Sequence, residues 1–197
     1  MAGQVRTKAD SDKPERRLRA DSVRNRERLL EAAAAVFSAG GPDASLEAVA
    51  KRAGVGIGTL YRHFPTREAL FEAVYRHEVD QLSELAERLT KDEKPVDALR
   101  QWLQANVRLV ATKKGMLQAL ALAAYPPEFY AYSFDRLTKA VGSLLRRAIK
   151  SGEIRPDIKP EELLRALVGM CYMHDKPGWQ RSVMRLVDIF VDGLRRV

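Results

Sequence analysis

The chain has 197 residues, 46% of them hydrophobic and 30% charged, which is the composition of an ordinary soluble protein able to form one good core or two small ones sharing a boundary. No run approaches the roughly 20 uninterrupted apolar residues of a membrane span, and the N-terminus lacks the apolar segment of a secretory signal. Cys171 is the only cysteine, which excludes an internal disulfide and predicts a reducing, cytoplasmic setting. The net charge of +8 suits a polyanionic partner, but it is evenly divided. Residues 1–70 hold 13 Lys/Arg against 9 Asp/Glu, and residues 71–197 hold 21 against 17, so charge permits nucleic-acid binding without locating it.

Residues 1–22 mix both charges with Gly and Pro and show no hydrophobic periodicity, which predicts a disordered arm. Its Arg16, Arg17 and Arg19 are suited either to solvent or to a DNA groove. From Ser22 onward the pattern is helical throughout. Leu29, Leu30, Ala33, Val36 and Phe37 share one face of a first helix, which Gly40-Gly41-Pro42 should end. Ser45 stands at the N-cap of a second, with Leu46, Val49, Ala50 and Ala53 on its inner side. Gly54 breaks that helix, and a third short one runs from about Gly56 to His63. Thr66 caps a fourth, which Glu68 supports in the first turn. This helix should reach Leu89, or about 35 Å at 1.5 Å per residue.

Pro95 opens a fifth segment through Leu99, Trp102, Leu103 and Val107. Gly115 is expected to interrupt it, leaving a separate short helix from Met116 to Ala124. Pro126-Pro127 starts a helix that runs to Lys150, with Gly152 as its cap. Pro160 begins another, ending near Tyr172, and His174 to Gly178 forms a break. Val183, Leu186, Val187, Phe190, Val191 and Leu194 give the last helix a broad apolar stripe. The expectation is an all-α protein of about nine helices without a sheet.

The first three helices have the lengths of a helix-turn-helix. Ala50 and Gly54 are small where two helices must cross closely, and Val55 is apolar where the turn meets the core. On the third helix, Leu60 and Phe64 are four apart and should face inward. Gly58 lets the backbone approach a duplex, and Thr59, Tyr61, Arg62 and His63 supply donors for phosphates and base edges.

Phe37, Gly40-Gly41, the run Ser45 to Ala50, Ala53-Gly54-Val55, the segment Gly58 to Phe64 and Thr66 to Leu70 together resemble the DNA-binding signature of the TetR family, over roughly residues 25–71. The resemblance implies a DNA-binding domain over residues 23–70 and a ligand-sensing, dimerising domain over 71–197. It also implies phosphate contacts from Tyr61 and His63, with Thr59 and Arg62 facing the groove. Arg67 stands where the family usually has Lys, and should hold a backbone phosphate. Ser45 replaces a common Thr, and with Thr66 it brings a hydroxyl to a helix N-terminus that meets DNA. Gly56 departs from a frequent Ser, so a hydroxyl cap on the reading helix is lost.

The family also implies a two-fold dimer through the last two helices. Their apolar width independently suggests burial against a second copy, through Leu164, Val168, Val183, Leu186, Val187, Phe190, Val191 and Leu194. Candidate lining for an effector pocket is Trp102, Met116, Leu120, Tyr125, Phe129, Tyr130, Phe134, Cys171, Tyr172 and Met173, with Phe129-Tyr130 and Tyr132 after the Pro126-Pro127 break the most suggestive. The same residue types at helical spacing also build ordinary core. Cys171 fits an inert buried thiol or an oxidant sensor, and His174 beside Asp175 fits a surface pair or a ligand contact.

The function implied is a homodimeric repressor released from a palindromic operator by a small apolar ligand. A ligand-dependent activator is the alternative. An all-helical enzyme is disfavoured, because His63, His77 and His174 lie apart and no phosphate loop or metal motif is present. No cofactor and no metal are expected, and a nonspecific DNA-coating protein would show steep salt dependence without sequence preference.

Overall fold

The computed structural model describes residues 12–40, 44–92, 94–119, 127–173, 176 and 178–196, with side chains described except at 12–19, 92, 119 and 127–130. Its helices are α1 (Asp12–Ala39), α2 (Leu46–Ala53), α3 (Ile57–His63), α4 (Arg67–Asp92), α5 (Pro95–Ala119), α6 (Pro127–Lys150), α7 (Pro160–Tyr172) and α8 (Trp179–Gly193). Among the described residues there is no strand. One isolated antiparallel bridge joins Ile154 to Arg195, and the Arg155 N–H to Leu194 O bond of 3.1 Å beside it ties the chain's end to the α6–α7 loop.

The helix boundaries follow local chemistry. Gly40, at φ +66°, ends α1 and donates its N–H to the carbonyls of Val36 and Phe37, the left-handed stop that a residue without Cβ makes cheaply. Ser45 Oγ accepts the Ala48 N–H at 3.1 Å and caps α2, and Gly54 ends it at φ +68°. Thr66 Oγ1 accepts the Ala69 N–H at 3.1 Å and caps α4. Gly56 caps α3 with backbone alone. Pro160 stands in the first turn of α7, and the Lys159 N–H donates to Glu162 Oε2 at 2.8 Å.

Two expectations are corrected. α1 already runs from Asp12, so residues 12–22 are helical where an irregular arm was expected; residues 1–11 lie outside the described ones. The absence of an apolar stripe removes a packing signal, but it does not stop a helix from propagating. Arg, Leu, Ala and Lys are good helix formers, and Pro14 is tolerated in the first turn. The second correction is at Gly115, where the helix continues without a break, giving eight helices among the described residues rather than nine. A Cβ at Gly115 would lie 1.8 Å from the Phe37 carbonyl oxygen. The glycine is there because α5 crosses α1 too closely for any side chain. Residues 120–124 of the expected extra helix lie outside the described ones.

The core is continuous across the chain. Leu29, Ala33 and Phe37 of α1, Val49 of α2, Leu60 of α3, Leu70 and Val74 of α4, and Leu99, Trp102, Leu103 and Met116 of α5 all belong to one buried cluster. Trp102 is fully buried, and its indole N–H donates to the Leu82 carbonyl at 2.8 Å. α1 packs chiefly on α5 and α2, and α4 on α5 and α6. The N-terminal helices are therefore seated on the rest of the molecule, not carried on a linker.

Candidate DNA-reading head and effector cavity

α3 has two sides. Leu60 and Phe64 are 1% and 2% exposed, and α3 packs on α2, while Gly58, Tyr61 and Arg62 are exposed and Thr59 and His63 half-buried. A Cβ placed on Gly58 would meet nothing within 4 Å, so the glycine leaves the outer surface open. Arg62 lies along this surface. Its Nη2 donates to Thr59 Oγ1 at 3.0 Å and its Nε to the Gly58 carbonyl at 3.4 Å. These neutral acceptors are ones that a guanidinium exchanges readily for a phosphate or a guanine edge.

Ser45 and Thr66 accept hydrogen bonds from their helices' N–H groups, and a hydroxyl engaged in this way still has its own proton to donate. Arg67 is exposed at the first residue of α4. One contributor has no signature in the sequence. The Arg26 guanidinium of α1 lies 5.4 Å from the centroid of the Phe64 ring, placing a further cation beside the C-terminal end of α3. Such a stack pairs residues 38 apart and leaves no local pattern to read.

The dimer candidates divide. Leu164, Val183, Val187, Val191 and Leu194 are at most 6% exposed, so they are consumed by the chain's own core and cannot face a partner. Val168 and Leu186 are 38% and 37% exposed, and Phe190 is half-buried. Ile189, at 65% exposed, completes an outer stripe on α8 that the apolar pattern alone does not separate from the inner one. The apolar width of α8 thus reflects two stripes, an inner one at 183, 187 and 191 and an outer one at 186, 189 and 190.

The pocket candidates divide as well. A cavity of about 60 Å³ lies among α4, α5, α6 and α7, lined by Tyr75, Asn106, Lys113, Ser133 and Phe134 together with Leu, Val and Tyr side chains. Phe134 and Tyr172 are the sequence candidates on its wall. Trp102, Met116 and Cys171 are fully buried core residues, because a large apolar side chain at helical spacing satisfies packing first. Leu120 and Tyr125 lie outside the described residues, as do the side chains of Phe129 and Tyr130 and the whole of His174. Tyr132, Tyr172 and Met173 are exposed, Met173 by 82%.

Burial pushes the Cys171 thiol up to about 12, against a smaller downward pull from Lys114. Lys114 Nζ donates to the Cys171 carbonyl at 3.3 Å and sits 4.8 Å from the Trp179 ring centroid, tying α5 to α7 and α8. Among the described residues no three His, Cys, Asp or Glu side chains are grouped to hold a metal ion, and no helix is long and apolar enough to cross a membrane.

A two-sided α3 behind a tight turn at Gly54 defines a helix-turn-helix DNA-binding protein. Residues 29–74 match the model for the bacterial regulatory proteins of the tetR family, and residues 94–196 match that for the SbtR-like transcriptional regulator C-terminal domain. The chain belongs to the TetR family of transcriptional regulators. It is 32% identical over 175 residues to the HTH-type transcriptional repressor LfrR of Mycolicibacterium smegmatis, covering 87% of this chain and 88% of that one. It is 28% identical over 158 residues to the regulator UidR of Escherichia coli, covering 75% and 78%. Among solved structures, a TetR transcriptional regulator from Streptomyces coelicolor is 41% identical, with a TM-score of 0.76 over 87% of this chain and 99% of that one. A second, from Mycobacterium vanbaalenii, is 33% identical with a TM-score of 0.70 over 91% and 99%.

Proposed function

We propose that the chain acts in the cytoplasm as a homodimeric repressor that grips a palindromic operator and releases it when a small molecule enters the C-terminal half. The observation that carries the DNA-reading part is the exposure of Tyr61 and Arg62 on an α3 anchored from behind by Leu60 and Phe64. Thr59, Arg62 and the open backbone at Gly58 face the bases, and Tyr61, His63, Arg67, Ser45 and Thr66 hold phosphates on either side. Arg16, Arg17 and Arg19 belong to the N-terminal part of α1, and Arg26, beside Phe64, adds a cation to the reading surface. Repression is the sign suggested by LfrR, which is named a repressor.

Dimerisation uses the outer stripe of Leu186, Ile189 and Phe190 with Val168, and sets two reading helices about one DNA turn or a multiple apart. Release follows if the ligand favours a state in which the two heads have the wrong separation, since a ligand shifts an equilibrium only by its differential affinity for the two states. α4 connects the heads to the ligand-binding half. Three consecutive residues of α5 offer a second route: Lys113 lines the cavity, Lys114 touches α7 and α8, and Gly115 touches Phe37 of α1.

The experiment is a gel shift against the chain's own upstream DNA, comparing the native protein with Tyr61→Ala/Arg62→Ala. A loss of about tenfold to hundredfold in affinity is expected. Unchanged binding by the double variant would remove α3 as the reader.

A further inference from the structure

We infer that Arg62 reads a guanine in each operator half-site through the Nη1–Nη2 edge of its guanidinium, and that Thr59 is the positioning residue that holds the adjoining edge. This rests on the operator-binding reading given above and names the base that α3 recognises.

A guanidinium has two forks of paired donors, a side fork of Nε–H with Nη2–H and an end fork of Nη1–H with Nη2–H. The side fork of Arg62 is spent on its own helix. Nη2 donates to Thr59 Oγ1 at 3.0 Å, and Nε donates to the Gly58 carbonyl at 3.4 Å. Among the described residues no ion pair or further hydrogen bond takes the end fork. α3 itself carries no acidic residue, so nothing on the helix neutralises the cation. Guanine presents N7 and O6 side by side in the major groove, the acceptor pair that such a fork matches. Adenine puts an amino donor where guanine has O6, which opposes one half of the fork. Binding guanine this way requires no exchange of the two acceptors on α3.

Position separates a base from a phosphate. Side chains on a helix lean toward its N-terminus, and the two bonds keep Arg62 folded back over residues 58 and 59. The N-terminal part of a recognition helix is the part that meets base edges. Gly58 brings no side chain to compete there, and a Cβ at that position would have nothing within 4 Å, so the surface is open to the duplex. A phosphate lies at the wall of the groove and is met by an arginine that extends sideways, not by one folded along its own helix. The Thr59 hydroxyl fixes the plane of the guanidinium before DNA arrives. That lowers the entropy lost on binding and ties the end fork to one acceptor geometry.

The test uses full-length protein and the duplexes it selects from a random pool, with binding read by fluorescence anisotropy at several salt concentrations. The selected half-sites should share a guanine whose replacement by adenine weakens binding about tenfold to hundredfold. Replacement by 7-deazaguanine, which lacks only the N7 acceptor, should weaken it by a smaller factor. Arg62→Lys keeps the charge and loses the fork, so it should bind the guanine and adenine duplexes alike while the salt dependence stays that of the native protein. Thr59→Val keeps the side-chain shape and removes the hydroxyl. It should reduce the guanine preference severalfold, and Thr59→Ser should restore it.

A guanine preference unchanged in Arg62→Lys or in Thr59→Val, or selected half-sites without a shared guanine, would overturn the inference. If Arg62→Ala weakens every duplex equally and lowers the salt slope by about one, Arg62 clamps a phosphate; the guanine then falls and the repressor stands. If the native protein selects no sequence from the pool, the repressor reading itself falls.

Discussion

Tyr61 and Arg62 matter because they are turned outward, and what turns them outward is the pair behind them. Leu60 and Phe64 are spaced by one helical turn, so burying both leaves Tyr61 and Arg62 no inward position. That division was legible from the order of residues, because Leu60 and Phe64, the latter capping α3, are the apolar pair one turn apart that leaves the polar Thr59, Arg62 and His63 off the buried line. Arg26 was not legible, since its stack on Phe64 joins two helices with no shared pattern. Phe64→Ala should cost about 3–5 kcal/mol, as truncations of buried aromatics do, and it should weaken DNA binding further by removing the platform under Arg26. Chemical denaturation of the variant, with a gel shift under conditions where it remains folded, separates the two effects. Cys171 was open between sensor and inert thiol. Its pKa, pushed up to about 12 by burial, leaves almost no thiolate at neutral pH, and the thiolate is the reactive species. Native protein should therefore resist thiol-modifying reagents at pH 7 and react fully only once denatured; rapid modification of the native protein would contradict this.

Helices were easier to locate than to count. The N-caps Ser45 and Thr66 and the stops at Gly40 and Gly54 are local chemistry, and each lies where the sequence predicts it. Gly115 misled because glycine has two meanings that one sequence does not distinguish. It weakens a helix, and it also lets another backbone come close. Here the second applies, with the Phe37 carbonyl occupying the space of the missing side chain. Gly115→Val should therefore push α1 away from α5 and destabilise the protein by several kcal/mol, at the upper end for point substitutions. Thermal unfolding will show it, and a shift of only a degree or two would mean that the crossing is loose. α8 misled in a related way. Its apolar width suggested one interface, but a helix whose inner stripe is already used has only the outer stripe to offer. Leu186→Asp/Ile189→Asp should give a monomer by light scattering with little loss of monomer stability, because those side chains are partly exposed. The same change at Val183 and Val187, both fully buried, should prevent folding.

The molecule as a whole joins its N-terminal helices to its C-terminal half through a shared core. Phe37 of α1 and Met116 of α5 lie in the same buried cluster, so a rearrangement around the cavity has a packed path to the head. The family and the head were legible because their residues are contiguous. The cavity was not, because Tyr75, Asn106, Lys113 and Ser133 come from three helices and meet only in space. Purified protein on its own upstream DNA, examined by nuclease footprinting, tests the central claim most directly. The account predicts one short protected palindrome, its half-sites about one turn or a multiple apart, with protection lost for Tyr61→Ala/Arg62→Ala. Uniform, sequence-independent coating that vanishes steeply with salt, or no protection at all, would contradict it.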